Sequence, residues 1–390
     1  MSRAHPIYLD NQATTPLDPR VLEAMMPWLG PQFGNPHSAT HAYGWEAAEA
    51  IETARGQIAE VIGADPKALF FTSGATEANN LAIKGVMEAM RDLRPRVILP
   101  ATEHKCVLES ARAAARQGAE LVELAVDGDG LVDLAALDRL LDDRTALVSV
   151  MAVNNEIGVI QPLAEIGALC RARGAYFHCD AAQAFGKVAL DVEAMNIDLM
   201  SLSGHKIYGP KGVGAIFVRR FRPRVRIVPQ MSGGGQEAGM RSGTLSPALS
   251  VGFGEAARLA REEMGKESRR MSRLFERFLG MIEAAVPDVV LNGHRQRRWH
   301  GNVNLSFPGT DAELLLSGLP DLALSSGAAC ASATSGPSYV LAAIGRSPSL
   351  ARAALRIGFG RFTTDEEVET AARRIIEAVT EAREARSWSA

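Results

Sequence analysis

In SLSGHKIYGPKGVG, residues 201–214, a β-rich run ends in Ser203-Gly204-His205-Lys206 and passes into a glycine-bearing turn. A lysine at the carboxyl end of a buried strand is costly unless its charge is neutralised or used. A partly desolvated amine is also the better nucleophile. Such an amine can form an imine with an aldehyde; the plainer reading is a surface lysine at a loop entrance. Asp180 closes the run AYFHCD one unit earlier and is followed by Ala181-Ala182-Gln183. A carboxylate there can hold a ring nitrogen protonated, or it can simply cap a helix.

An aldehyde partner and a ring nitrogen that must stay protonated describe pyridoxal, which accepts electrons from a carbanion only in that state. Its phosphate needs backbone donors at a helix start. FTSGATEANN, residues 71–80, offers a strand, a turn at Ser73-Gly74-Ala75-Thr76 and then a helix. Ser203 and His205 can add donors, although the same segment also reads as an ordinary capping box. His104, in ATEHKCV, can stack on a ring and relay protons, or be a hydrogen-bonded loop residue. Asn155, in VNNEIG, can bond a ring oxygen or a substrate carboxylate. All of these fall near strand ends.

Two further residues stand apart. Cys330 sits in SSGAACASATSGPS, residues 325–338, a run of small residues with little packing potential. A thiol that reaches a buried substrate and then hands on its cargo needs such freedom; the alternative is an inert linker cysteine. Arg356 lies in the apolar run ALRIGFGRFT, where a guanidinium needs a bidentate carboxylate or an internal salt bridge. Cys106, Cys170 and Cys179 have apolar or helical contexts and read as packing residues. The run Arg219, Arg220, Arg222, Arg224 and Arg226 reads as a solvated edge or a face for an acidic partner.

These residues need a scaffold that gathers strand ends. Between Pro66 and Val218, seven short β-rich runs alternate with helical segments, which predicts a mainly parallel sheet covered on both faces. Ligands in such α/β folds lie beyond the carboxyl ends of the strands. After MSGGGQEAGMRSGT, residues 231–244, a long helix is expected over Phe253–Ala285, then a smaller α+β part with VNLSF, the cysteine segment and a last helix. We expect residues 15–262 to form the large domain, with 1–14 and 263–390 forming the small one.

The bulk figures agree with a globular α/β chain: 390 residues, 47% hydrophobic, 22% charged, net charge -3. That charge offers no argument for nucleic acid or an anionic membrane. MSRAHPIYLDNQATTP lacks the apolar core of a secretory signal, and no later apolar stretch could span a bilayer. Four scattered cysteines imply neither a disulfide framework nor a metal knuckle, so a reduced, cytoplasmic setting is expected and no metal is required.

The ordered motifs YLDNQATTPLDPRV, FGNPHS, FTSGATEANNLAIKG, TEHKCVLES, VNNEIGVIQP, FHCDAAQAFGK, SGHKIYGPKGVGA, MRSGTLSPALSVG, SSGAACAS, PSYVL and LRIGFGRFT run along nearly the whole chain. Together they resemble the cysteine desulfurases, in the IscS/NFS-like branch of the class V aminotransferase family. The resemblance implies a fold-type I homodimer that uses pyridoxal 5'-phosphate, acts on L-cysteine and releases alanine. By that resemblance Lys206 is the Schiff-base lysine and Asp180 the partner of the ring nitrogen. Gln183 and Asn155 lie near the ring oxygen, and His104 lies over the ring. Ala75, Thr76, Ser203 and His205 hold the phosphate, with Thr244 reaching the phosphate of the neighbouring subunit. Arg356 binds the substrate carboxylate, and Cys330 takes the sulfur as a persulfide for an iron–sulfur scaffold, for tRNA thiolation and for other acceptor proteins. Cys330 is also a possible transient cluster ligand.

Two departures are visible. Alanine replaces the usual serine in Gly327-Ala328-Ala329-Cys330, and the sequence ends at Ser-Trp-Ser-Ala, where many members carry a longer scaffold-docking tail. An aminotransferase or selenocysteine lyase is the alternative within the fold, told apart by its product. A non-catalytic iron–sulfur assembly subunit is the alternative outside it, and Lys206 with Asp180 argues against that.

Overall fold

The computed structural model describes residues 5–326 and 337–387. Seven strands form the central sheet: β1 (Leu69–Thr72), β2 (Arg96–Pro100), β3 (Glu120–Leu124), β4 (Thr145–Ser149), β5 (Tyr176–Asp180), β6 (Leu199–Ser203) and β7 (Gly214–Val218). Each falls on one of the seven runs predicted from sequence. Their spatial order is β1-β7-β6-β5-β4-β2-β3, and only β7 runs against its neighbours. The reason is local. Residues 204–213 are too few for a helical crossover, so β7 must fold back on β6 as a hairpin partner.

Reversal of β7 restores β1 to the common direction. The carboxyl ends of β1, β2, β4, β5 and β6 therefore open at one edge, and the β6–β7 turn carries Lys206 to that same edge. Side chains alternate across the sheet. Phe71, Val148, Phe177, Met200, Leu202 and Phe217 enter one core, shared with the helices Leu163–Arg173 and Pro247–Ala285. Phe70, Leu147, Leu199, Ile216 and Val218 enter the other, under the helix Ala75–Met90. Apolar cover on both faces leaves the strand ends as the place where polar groups can gather.

A second, antiparallel sheet closes the opposite wall. Ser325–Ser326, Ala354–Gly358, Asn302–Ser306 and Val290–Leu291 pair in that order. The N-terminal strand Ile7–Tyr8 pairs with Leu322–Ala323, so residues 10–15 run between this sheet and the β6–β7 turn. Asn11 Nδ2 donates to Gly358 O at 2.8 Å, and Thr15 Oγ1 donates to His205 O at 2.9 Å. The approach demands glycine at 358, where a Cβ would lie 1.6 Å from Gln12 Oε1.

Candidate active site

Between the two walls lies a cavity of about 510 Å³. Ten predicted residues line it: Ala75, Thr76, His104, Asn155, Asp180, Gln183, Ser203, His205, Lys206 and Arg356. Thr244 does not; it is exposed and away from this chain's own cavity. Cys330 lies outside the described residues.

Lys206 closes the short 3-10 turn after β6. Its amine donates to Gln12 O and, at 2.8 Å, to Ala13 O. Asp180 ends β5 in the neighbouring position and is 4% exposed. Asn79 Nδ2 donates to its Oδ2 at 2.7 Å and Ala182 N to its Oδ1 at 2.9 Å, which fixes the carboxylate plane. Nearby Glu103 is fully buried, and burial together with the Asp180 charge pushes its carboxyl well above the usual range.

The turn after β1 differs from an ordinary capping box. The helix Ala75–Met90 starts from Gly74, with no side-chain cap on its opening amides. Gly74 has φ +150, and the start of β7 packs against it: a Cβ on Gly214 would lie 2.6 Å from Gly74 Cα. Glu77 turns back to accept from Ser73 N at 2.8 Å and pairs with Arg241 at 2.8 Å, so the capping-box glutamate is present without a capping side chain at 74. The free helix start is an anion site. His205 faces it as a neutral imidazole: burial first, then the charges of Lys206, Lys211 and Lys187, lower its pKa to about 4. A neutral ring can donate one N–H to a phosphate oxygen, and its Nδ1 is engaged with Thr14 Oγ1 at 3.1 Å.

At the other end, Arg356 resolves the two readings given to it. Its Nη2 pairs with Asp10 Oδ1 at 2.8 Å, its Nη1 donates to Asn155 O at 3.1 Å, and its buried Nε has no partner. The internal salt bridge exists, and N–H donors of the guanidinium remain for a carboxylate. Asn155 Oδ1 and Gln12 Oε1 are likewise buried without partners. Orphaned polar atoms around an enclosed space imply a polar occupant. The residues fit pyridoxal phosphate: an amine, a buried carboxylate, an uncapped helix start and unpaired amide groups converge on one volume.

One expectation is extended and one is corrected. Cys106 packs against the second core as expected, and it also faces the cavity: it is half-buried, lies 3.0 Å from His104 Nδ1 and accepts from Asn79 Nδ2 at 3.2 Å. His104 caps the helix Lys105–Arg116, accepting from Cys106 N, which aims both side chains at the cavity. Arg219 leaves the supposed solvated edge; it is 5% exposed and paired with Asp198 at 3.1 Å. Gln12, Ala13, Thr14 and Lys211 line the cavity and had not been singled out.

Residues 7–370 match the aminotransferase class-V family model. The chain belongs to the cysteine desulfurases of that family. The "Cysteine desulfurase IscS" of Rickettsia bellii (strain OSU 85-389) is 52% identical over 97% of this chain and 92% of its own length. A solved structure titled "NIFS-LIKE PROTEIN" superposes with TM-score 0.89 at 34% identity, over 96% of this chain and 99% of the other. Another, "SspA in complex with cysteine", gives TM-score 0.80 at 35% identity, over 92% and 99%. The enzyme is therefore a fold-type I protein with pyridoxal 5'-phosphate as cofactor.

Arg356→Leu is expected to raise the KM for L-cysteine at least about tenfold, since a charge-assisted bond to the carboxylate contributes roughly 1.5–3 kcal/mol. Cofactor content should be unchanged. Steady-state kinetics beside a spectral titration of bound cofactor would check both.

Proposed function

We propose that the enzyme takes the sulfur of L-cysteine, releases L-alanine and collects the sulfur as a persulfide on Cys330. From there the sulfur passes to an iron–sulfur scaffold and to other acceptors, including those of tRNA thiolation. The carrying observation is that Lys206, Asp180 and Arg356 face one cavity from three different elements.

Bound pyridoxal phosphate supplies a carbonyl that takes up an amine and a ring that accepts an electron pair. Lys206 is the amine that carries it and the base beside the substrate's α-carbon. Asp180 holds a proton at the ring nitrogen. The amides of Ala75 and Thr76, with Ser203 and His205, hold the phosphate. Thr244, exposed on its own chain, completes the phosphate site of a second copy in a homodimer. Gln183 and Asn155 offer their amides to the ring oxygen, and His104 covers the ring and exchanges protons. Arg356 orients the substrate by its carboxylate.

The Cys330 sulfur attacks the substrate sulfur. One C–S bond breaks and one S–S bond forms, the electron pair of the broken bond remains on the carbon, and protons there complete alanine. Cysteine plus enzyme thiol thus equals alanine plus enzyme persulfide, with no outside oxidant. Among the described residues no helix is long and apolar enough to cross a membrane, and no cluster of side chains suits a metal ion. A cytoplasmic location is part of the proposal.

The test is product analysis on L-cysteine with a reductant present. Alanine and sulfide in equal amounts support the reading. 3-Mercaptopyruvate formed in place of alanine would make it an aminotransferase, and pyruvate with ammonia and sulfide a β-eliminating lyase.

A further inference from the structure

Asp10 follows the N-terminal strand Ile7–Tyr8, and its backbone is held from two sides. Leu9 N donates to Ala323 O at 3.0 Å, and Gly358 N donates to Leu9 O at 2.6 Å. Asp10 and Gly358 form a parallel bridge, and the Tyr8 hydroxyl donates to Asp10 O at 3.2 Å. Residues 8–10 thus run between the strands Leu322–Ala323 and Ala354–Gly358, which gives the Asp10 side chain a fixed origin. Its Oδ1 accepts from Arg356 Nη2 at 2.8 Å and from Ser325 Oγ at 3.2 Å.

Arg356 is buried, whereas Asp10 keeps partial contact with solvent. Among the described residues Asp10 is the carboxylate paired with this guanidinium. Glu156, another carboxyl that feels the Arg356 charge, is engaged by Ser338 Oγ. Arg356 is held a second time from the loop after β4, where its Nη1 donates to Asn155 O at 3.1 Å. Two nitrogens on two anchored acceptors set the plane of the guanidinium, and the buried Nε is left without a partner. A rigid planar fork recognises a carboxylate only in the right orientation, and ordering so long a side chain beforehand removes that cost from binding.

We propose that Asp10 is a positioning residue for Arg356: it fixes the guanidinium in the orientation whose remaining N–H groups take the carboxylate of an α-amino acid. This rests on Arg356 being the carboxylate site. Preference for an α-amino acid over an amine without a carboxylate then depends on a side chain that does not itself line the cavity.

The measurement uses the cofactor-loaded enzyme and compares wild type, Asp10→Ala, Asp10→Asn and Arg356→Leu. Two probes are titrated against the cofactor absorbance: L-alanine, and ethylamine, which is alanine without its carboxylate. Asp10→Ala should weaken L-alanine about tenfold and leave ethylamine unchanged, with the KM for L-cysteine rising in step and kcat close to wild type. Asp10→Asn keeps an acceptor oxygen at the same place and should restore most of the loss. Unchanged or tighter L-alanine binding in Asp10→Ala, an equal loss for both probes, or an Asp10→Asn enzyme as weak as Asp10→Ala would overturn the proposal. Should Asp10→Ala fail to fold, Asp10→Glu decides: its longer side chain keeps the charge but moves the acceptor, and unchanged L-alanine binding there defeats the idea. Arg356→Leu tests the underlying assignment separately. If it binds L-alanine as wild type does, both ideas fail; if it loses L-alanine while Asp10→Ala does not, only the one about Asp10 fails.

Discussion

Lys206→Ala lowers alanine formation from L-cysteine by at least about a thousandfold, the scale expected when covalent catalysis is lost. The substitution removes two hydrogen bonds to the Gln12 and Ala13 carbonyls, which become open to the cavity and to solvent within it. The stability cost is therefore about 1 kcal/mol per bond at most, and the fold should survive. Cofactor retention should change in kind: the helix start at Ala75, His205 and Asp180 still offer contacts, but no covalent link remains. Gel filtration of the loaded variant should strip cofactor that wild type keeps. Lys206→Arg should be equally inactive, because a guanidinium stays charged and cannot act as the amine. A Lys206→Ala variant with a turnover rate near wild type would remove this residue from the chemistry.

The site was legible where one short run both forms an element and supplies the chemistry. SLSGHK and AYFHCD each read as a strand with a reactive side chain at its end, and alternation of strands and helices forces those ends to one edge. Asp180 and Lys206 could be paired for that reason alone. Gln12 and Ala13 could not: they reach Lys206 across more than 190 residues, on an irregular segment held by side-chain bonds to Gly301 and Gly358. No periodicity marks such a segment. The cavity-facing side of Cys106 was missed because its helix has a true apolar stripe, Val107, Ala111 and Ala114, and Cys106 precedes it by one residue. The available signal was its position two residues after a histidine at the helix start, where both side chains face whatever the helix points at. Thr244 is a different case: nothing local in RSGT tells a residue's own cavity from that of a second copy.

Cys106 also sharpens the case for Cys330, because the cavity now offers a competing thiol. Cys330→Ser is expected to abolish sulfide release while leaving the cofactor spectrum unchanged, and Cys106→Ser to keep at least about a third of wild-type turnover. The Cys106 sulfur is tied to His104 and to Asn79, and Asn79 in turn bonds Asp180. It thus sits at the Asp180 end of the cavity, on a helix of twelve residues that cannot carry it out to a partner protein. In the proposed function the substrate carboxylate lies at Arg356, at the other end. The chain segment bearing Cys330 departs and returns there: Ser325 pairs with Arg356 in the antiparallel sheet, and Ser338 donates to Glu156, next to Asn155. Burial raises the Glu156 carboxyl to about 7, against the pull of that hydrogen bond and the Arg356 charge. Sulfide assays on the two serine variants decide between the thiols: loss of activity in Cys106→Ser with normal turnover in Cys330→Ser would exchange their roles.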